Sequence, residues 1–170
     1  MRLLYDGSFE GFLTIVYKVY YQKIKPVHID KYQHNTALFD TLDRVETDET
    51  QAMRVLEGLH SQWSKKNLQT ILTIFMCDSR AFEMDLLQFI ILGFRDGKEL
   101  KNINHPHVFR IRNLEKEYYR YHHRMTGFVR FEELEDGTLY AKIEGRFNIL
   151  YHLGEHFAKR LNTEKFIIHD

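Results

Sequence analysis

The apolar pattern changes its period once, sharply, near Gly127, and that change limits the folds open to this chain. Val108, Ile111, Leu114 or Glu115, Tyr118, His122 and Met125 recur at helical spacing after His105-Pro106, which predicts one long helix closed by Gly127. Residues 128–134 and 138–144 then alternate, and they flank Glu135-Asp136-Gly137, a strong hairpin turn signal. Phe147, Leu150, Leu153, Phe157 and Leu161 return to helical spacing, and Phe166-Ile167-Ile168 reads as a last strand leading to His169-Asp170. The expected class is α+β, mostly helical, with a small antiparallel hairpin or sheet near the C-terminal third.

The N-terminal part fits that class. Residues 2–5 read as a short buried strand, and Asp6-Gly7-Ser8 as a turn with Ser8 capping a helix. Phe9, Phe12, Val16, Val19 and Tyr20 carry that helix to about Lys23, before Lys25-Pro26 stops it. Residues 28–45 are ambiguous. Thr47-Asp48-Glu49 starts a second helix, with Met53, Leu56, Leu59 or His60, and Trp63 as its apolar stripe. A third covers 66–77 with Leu68, Ile71, Leu72 and Phe75. Residues 81–94 are apolar on more than one face, which predicts a central core helix with Gly97 after its end. At 170 residues, with 44% apolar content and only 2 prolines, the chain suits one α+β domain over 1–170.

Charge and cysteine content exclude several classes. Lys and Arg together number 24, as do Asp and Glu, so only a local patch can attract a polyanion. A single cysteine, Cys77, makes no intrachain disulfide, no cysteine zinc site and no iron–sulfur ligand set. The first residues lack the apolar run of a secretion signal, and residues 86–94 are too short and too interrupted by Gln88 to span a bilayer. A cytoplasmic protein without a membrane partner is expected. Gly93 and Gly97-Lys98 lack the spacing of a phosphate loop, and there is no Gly-x-Ser-x-Gly elbow. No cofactor is expected.

Two patterns carry candidate chemistry. Arg112, Lys116, Arg120 and Arg124 follow one another at intervals of four, so a helix would line all four along one solvent-facing side, with Ile111, Tyr118 and Met125 turned inward. Arg110, His123 and Arg130 lie near in sequence, interleaved with Tyr118, Tyr119 and Tyr121. Cations pair with phosphates and aromatic rings stack on unpaired bases, so this row is the nucleic-acid-binding candidate. A solvated helix face, with Glu115 and Glu117 pairing locally, is the plainer alternative. His152-Leu153-Gly154-Glu155-His156 matches the spacing of inverted zinc metalloproteases. Such a site needs a third protein ligand, and few candidates follow; Gly154 also weakens the helix inside the motif. No catalytic metal is expected there.

Longer matches run through the C-terminal third. His123-Arg124-Met125-x-Gly127-Phe128-Val129-Arg130-Phe131, Asp136-Gly137-x-Leu139-Tyr140-Ala141-x-Ile143-Glu144, Asn148-Ile149-Leu150, His156-Phe157-x-x-Arg160 and Phe166-Ile167-Ile168-His169-Asp170 resemble an uncharacterised bacterial family assigned to DNA metabolism or repair. The opening Tyr5-Asp6-Gly7-Ser8-Phe9-Glu10-Gly11-Phe12-Leu13-Thr14, and Val45-x-Thr47-Asp48 with Ala52, Arg54 and Val55, are similar to the same family. Its members tend to be encoded beside a radical SAM protein, and some are fused to a uracil-DNA-glycosylase-like domain. Two departures stand out. Gly145-Arg146 replaces the family's proline and acid, and the family tends to continue past Ile-His-Asp with basic and aromatic residues where this chain has Asp170 last.

The resemblance marks a polar set: Arg124, Arg130, Glu144, His156, Arg160, His169 and Asp170. Arginines suit phosphate or carboxylate, and a His with a carboxylate suits acid–base work. A buried salt-bridge network is the architectural alternative. Chain order suggests that Arg124, Arg130, Glu144, His156 and Arg160 converge, with His169 at the rim. The resemblance implies a DNA metabolism or repair accessory protein that binds DNA and acts with a radical SAM partner. The rivals are a nucleotide- or DNA-acting enzyme that uses this cluster, and a protein–protein adaptor without DNA binding.

Overall fold

Leu3, Leu4 and Tyr5 are almost wholly buried because their strand lies at the middle of a sheet. The computed structural model describes residues 1–32, 42–78 and 80–170. They divide into two compact units, Met1–Phe75 with Ala81–Arg112, and Met76–Arg80 with Asn113–Asp170.

In the first unit, β1 (Arg2–Tyr5) pairs in parallel with β2 (His28–Lys31) on one side and β3 (Leu42–Arg44) on the other. Parallel neighbours need a crossover, which α1 (Phe9–Tyr21) supplies between β1 and β2. The ambiguous stretch thus contains two strands, and residues 33–41 of it lie outside the described residues. Ser8 caps α1 as expected: its hydroxyl accepts from the Gly11 amide. Asp6 completes the corner, accepting from the Ser8 amide at 2.9 Å, the Ser8 hydroxyl at 2.6 Å and the Thr47 hydroxyl at 2.7 Å. Partial burial alone would raise the Asp6 carboxyl pKa; the bonds from Ser8 and Thr47 outweigh it and hold the group low. A Cβ at Gly11 would strike the Asp6 and Thr47 oxygens, so this close corner requires glycine.

Asp48 caps α2 (Glu49–Gln62), which buries Ala52, Val55 and Leu59, while Met53 is 55% exposed. The expected stripe holds at Leu59 and Trp63, but in the first turns Ala52 and Val55 take the interior in place of Met53 and Leu56. Small Ala52 faces inward and the larger, flexible Met53 outward, an inversion that ranking by side-chain size misses. In α3 (Lys65–Phe75) the interior takes Thr70, Ile71, Thr73 and Ile74, and Leu72 faces out. The expected core helix is α4 (Glu83–Arg95), which buries Leu86, Leu87, Phe89, Ile90 and Ile91. A short 3-10 helix, Gly97–Lys101, follows it.

Helix α5 (Pro106–Phe128) contributes its first residues to this unit and those from Asn113 onward to the second. It runs through Gly127, because the Val129 amide still bonds the Met125 carbonyl at 3.0 Å. The hairpin is accordingly shorter than the alternation suggests, with β4 (Glu132–Glu133) antiparallel to β5 (Leu139–Lys142). Gly137 takes φ +81° in its turn, and Asp136 accepts from the Thr138 amide and hydroxyl. The far edge of β5 pairs in parallel with β6 (Phe166–His169), so this sheet is mixed. After α6 (Leu150–Leu161) the chain returns to form β6. The core of the unit joins Cys77, Tyr118, Val129, Ala141, Ile143, Phe147, Ile149, Leu153 and Phe157. The fold is thus α+β and mostly helical. Among the described residues, no helix is long and apolar enough to cross a membrane.

Candidate functional site

Each unit takes part of the basic row. Arg112 is half-buried in the first unit, donating from Nη1 to the Thr70 hydroxyl at 2.8 Å and from Nη2 to Asn67 Oδ1 at 3.0 Å. Its guanidinium also lies 5.4 Å over the Phe89 ring. The expectation that all four members face solvent is corrected here, because this one is an interior tie. Arg110 is committed as well, donating from Nε to both Asp85 oxygens at 2.8 Å, while His107 Nδ1 lies 2.6 Å from Asp85 Oδ1.

In the second unit the rest of the row is open. Lys116, Arg120, His123 and Arg124 are exposed on α5. The inward face of the helix is set by Tyr118, fully buried, with Leu114 and Met125 packed against the core. Among the described residues no acid pairs with Lys116, Arg120 or Arg124, and the Arg124 guanidinium lies 6.0 Å from the Tyr121 ring centroid. Nearby Glu117 is already taken, by Arg146 at 2.7 Å and Arg80 at 3.0 Å. Arg146, one of the departures from the family pattern, thus neutralises an acid on α5. Its partner residue Gly145 lies so near Tyr121 that a Cβ would sit 2.6 Å from the hydroxyl. Of the interleaved tyrosines, Tyr118 is unavailable for stacking, Tyr121 packs edge-on against Phe147, and Tyr119 is 36% exposed.

The structure divides the polar set. Arg130 and Glu144 line one hollow of about 420 Å³ with Glu132, Tyr140 and Lys142. Strand period explains the lining: Tyr140 and Lys142 share a face of β5, and the register sets Glu132 opposite Tyr140 and His169 opposite Lys142. His169 Nδ1 lies 2.9 Å from the Tyr140 hydroxyl, which places it at the edge of the hollow. Arg130 donates to the Gly127 carbonyl at 3.0 Å and more weakly to that of Val129, closing the last turn of α5. Arg124, His156 and Arg160 do not line this hollow, so the expected convergence of five residues is corrected. Arg160 and Asp170 are exposed. Period-two spacing could have flagged Tyr140 and Lys142; the bond from Tyr140 to His169 depends on a pairing that no local pattern reveals.

His156 belongs to a different group. With His152 on α6 and His122 on α5, it forms a histidine cluster beside Tyr118. The His122 and His152 rings lie 5.7 Å apart, and His152 Nδ1 is 2.8 Å from the Tyr118 hydroxyl. Burial pushes the His122 and His152 pKa values down, so both rings favour the neutral form. The Nε2 atoms of His122 and His156 are buried and have no hydrogen-bond partner. Among the described residues, no three His, Cys, Asp or Glu side chains are arranged to hold a metal ion. Cys77 is fully buried in the core, and burial pushes its thiol up to about 12, which makes it a packing residue rather than a nucleophile.

Residues 80–170 match the model of a family described as a domain of unknown function, DUF4130. No curated protein and no solved structure matches the chain.

Proposed function

The chain belongs to the DUF4130 family, whose match covers over half of it, and from that premise we propose that it is a DNA metabolism or repair accessory protein that binds DNA through the exposed face of α5. One observation carries this reading: Lys116, Arg120 and Arg124 stand in solvent, at four-residue intervals, with no acid bonded to any of them. On the same helix, Glu117 is bound by two other arginines, and Glu115 is engaged in an interaction of its own. A row of uncompensated cations is suited to phosphates, which exchange condensed counterions for the side chains.

The similarity to a family encoded beside radical SAM proteins supports a partner of that kind. A single buried cysteine leaves any iron–sulfur ligation to such a partner. A triple variant, Lys116→Ala with Arg120→Ala and Arg124→Ala, tests the DNA interface by fluorescence anisotropy on a labelled oligonucleotide. Affinity should fall by at least tenfold at about 50 mM salt, given that each phosphate contact contributes to the salt-dependent attraction. Unchanged affinity in a folded triple variant would remove this face from the interface.

The hollow on the second sheet supports an alternative, an enzyme acting on a nucleotide. Arg130, Lys142 and the Tyr140–His169 pair bring cations and a proton-carrying pair together there. Turnover of a nucleotide or of DNA that disappears in Tyr140→Phe and His169→Gln would favour it.

A further inference from the structure

We propose that this unit selects single-stranded over duplex DNA by stacking unpaired bases on Tyr119 and Tyr151. The proposal rests on the DNA-binding reading above and adds the form of the nucleic acid. Tyr119 on α5 is 36% exposed, and Tyr151 on α6 is 62% exposed. Both rings meet the same support, with centroids 6.1 Å and 5.4 Å from the His152 ring, at interplanar angles of 69° and 83°. Those edge-to-face contacts leave ring surface turned towards solvent. His152 is itself fixed, because its Nδ1 meets the Tyr118 hydroxyl at 2.8 Å and that hydroxyl also meets the Asn148 carbonyl at 3.1 Å. Two solvent-facing tyrosines are thus braced from beneath by a half-buried histidine.

Charge complements the ridge. Lys116 and His123 stand three residues before and four after Tyr119, so they share its side of α5, and Arg120 adjoins them. Lys159 is exposed on α6; of the acids close by, Glu155 accepts from the Tyr151 hydroxyl at 3.4 Å, and Glu115, four residues before Tyr119, is half-buried and engaged in an interaction of its own. In a duplex the base faces are stacked on one another, and a protein reads base edges with hydrogen-bonding side chains in a groove. In a single strand the base faces are free, and a cationic track with aromatic rings beside it is the arrangement that binds them. His152 acts here as a positioning residue, orienting both tyrosines without touching the strand.

The test measures anisotropy of a labelled 15-nucleotide oligo-dT and of a 15-base-pair duplex, each at the same salt. The wild-type protein should bind the single strand more tightly. Tyr151→Ala and Tyr119→Ala should each weaken single-strand binding about tenfold and leave duplex binding unchanged. Tyr151→Phe, which keeps the ring, should behave as wild type, whereas a purely structural role for the hydroxyl bond to Glu155 would make it resemble Tyr151→Ala. Duplex and single strand bound equally, with no effect of either Ala variant, would overturn this inference and leave the cationic interface standing. Binding of neither probe would overturn both.

Discussion

In the first unit, half-buried Asp85 and Arg112 end on partners, Asp85 on Arg110 and His107, Arg112 on Thr70 and Asn67, and exposed Asp6 is held by Ser8 and Thr47. In the second, among the described residues, Lys116, Arg120 and Arg160 reach solvent without an ion pair, as Lys65 and Lys66 do in the first, but here the cations of α5 stand in a row at four-residue intervals and two tyrosines are exposed beside a histidine. The two also differ in their cores. The first wraps a parallel sheet with helices, of which α4 buries residues on more than one face; the second covers one face of a small mixed sheet and leaves Tyr140, Lys142 and His169 on the other. A satisfied polar pair inside a dense core contributes to stability and has little left to offer a ligand. An uncompensated cation on an amphipathic helix adds little to stability and keeps its full capacity for an anion. Under the proposed function, the first unit is the scaffold and the second carries recognition.

The strongest challenge to that division is Phe89→Ala. Phe89 is fully buried and packs edge-on against Trp63 at 5.8 Å. The variant should lose about 3–5 kcal/mol, seen as an earlier transition in the fluorescence of Trp63, the chain's one tryptophan. DNA affinity of the folded protein should not change; a parallel loss of affinity would blur the two roles.

Arg112→Ala sharpens the contrast within one helix. Its charged hydrogen bonds predict a cost of about 1.5–3 kcal/mol in denaturant unfolding. DNA affinity should stay within about twofold of wild type, whereas Arg120→Ala should do the reverse, leaving stability unchanged within about 0.5 kcal/mol. If Arg112→Ala weakened DNA binding as much as Arg120→Ala, the interior tie would be an incomplete description of that side chain.

Acid should separate the units more gently. His122 and His152 have pKa values lowered in the folded protein, chiefly by burial, so the unfolded chain binds protons first as pH falls. Stability is then complete above the unfolded value of about 6.5 and declines as pH drops from there towards the folded values. Hydrogen-exchange protection of the β5 amides, taken relative to their intrinsic rates at each pH, should fall between about pH 7.5 and 5.5 more than that of β1, and His152→Gln should reduce the difference. An equal fall in protection in β1 and β5 would show that the histidine cluster is not the cause.

What could be read from the sequence was local. Ser8 and Asp48 cap helices because a short polar side chain before an apolar run has one common use, and Asp136-Gly137 makes its turn because few other residues tolerate the left-handed backbone there. The strand Arg2–Tyr5 was visible as an apolar run. Spacing shows which residues share a face, but it does not show which face meets the core, and so Met53 and Ala52 exchange roles. It cannot show that Arg112 bonds Thr70, 42 residues away, or that Tyr140 meets His169 across a parallel pair. The seven-residue polar set came from the resemblance and its convergence from chain order. The fold puts Arg130 and Glu144 in a sheet hollow with His169 at its edge, and His156 in a histidine cluster because α6 carries it on the side that faces α5; it leaves Arg124, Arg160 and Asp170 exposed apart from both.

The most direct test of recognition by the second unit is the slope of log affinity against log salt concentration for a DNA duplex, measured on wild type and on the triple variant at Lys116, Arg120 and Arg124. Each phosphate contact contributes about 0.9 to that slope for duplex DNA. The account predicts a slope that becomes shallower by about 0.9 for each of the three cations that reaches a phosphate, with Arg112→Ala leaving it unchanged. Identical slopes for wild type and the triple variant would contradict it.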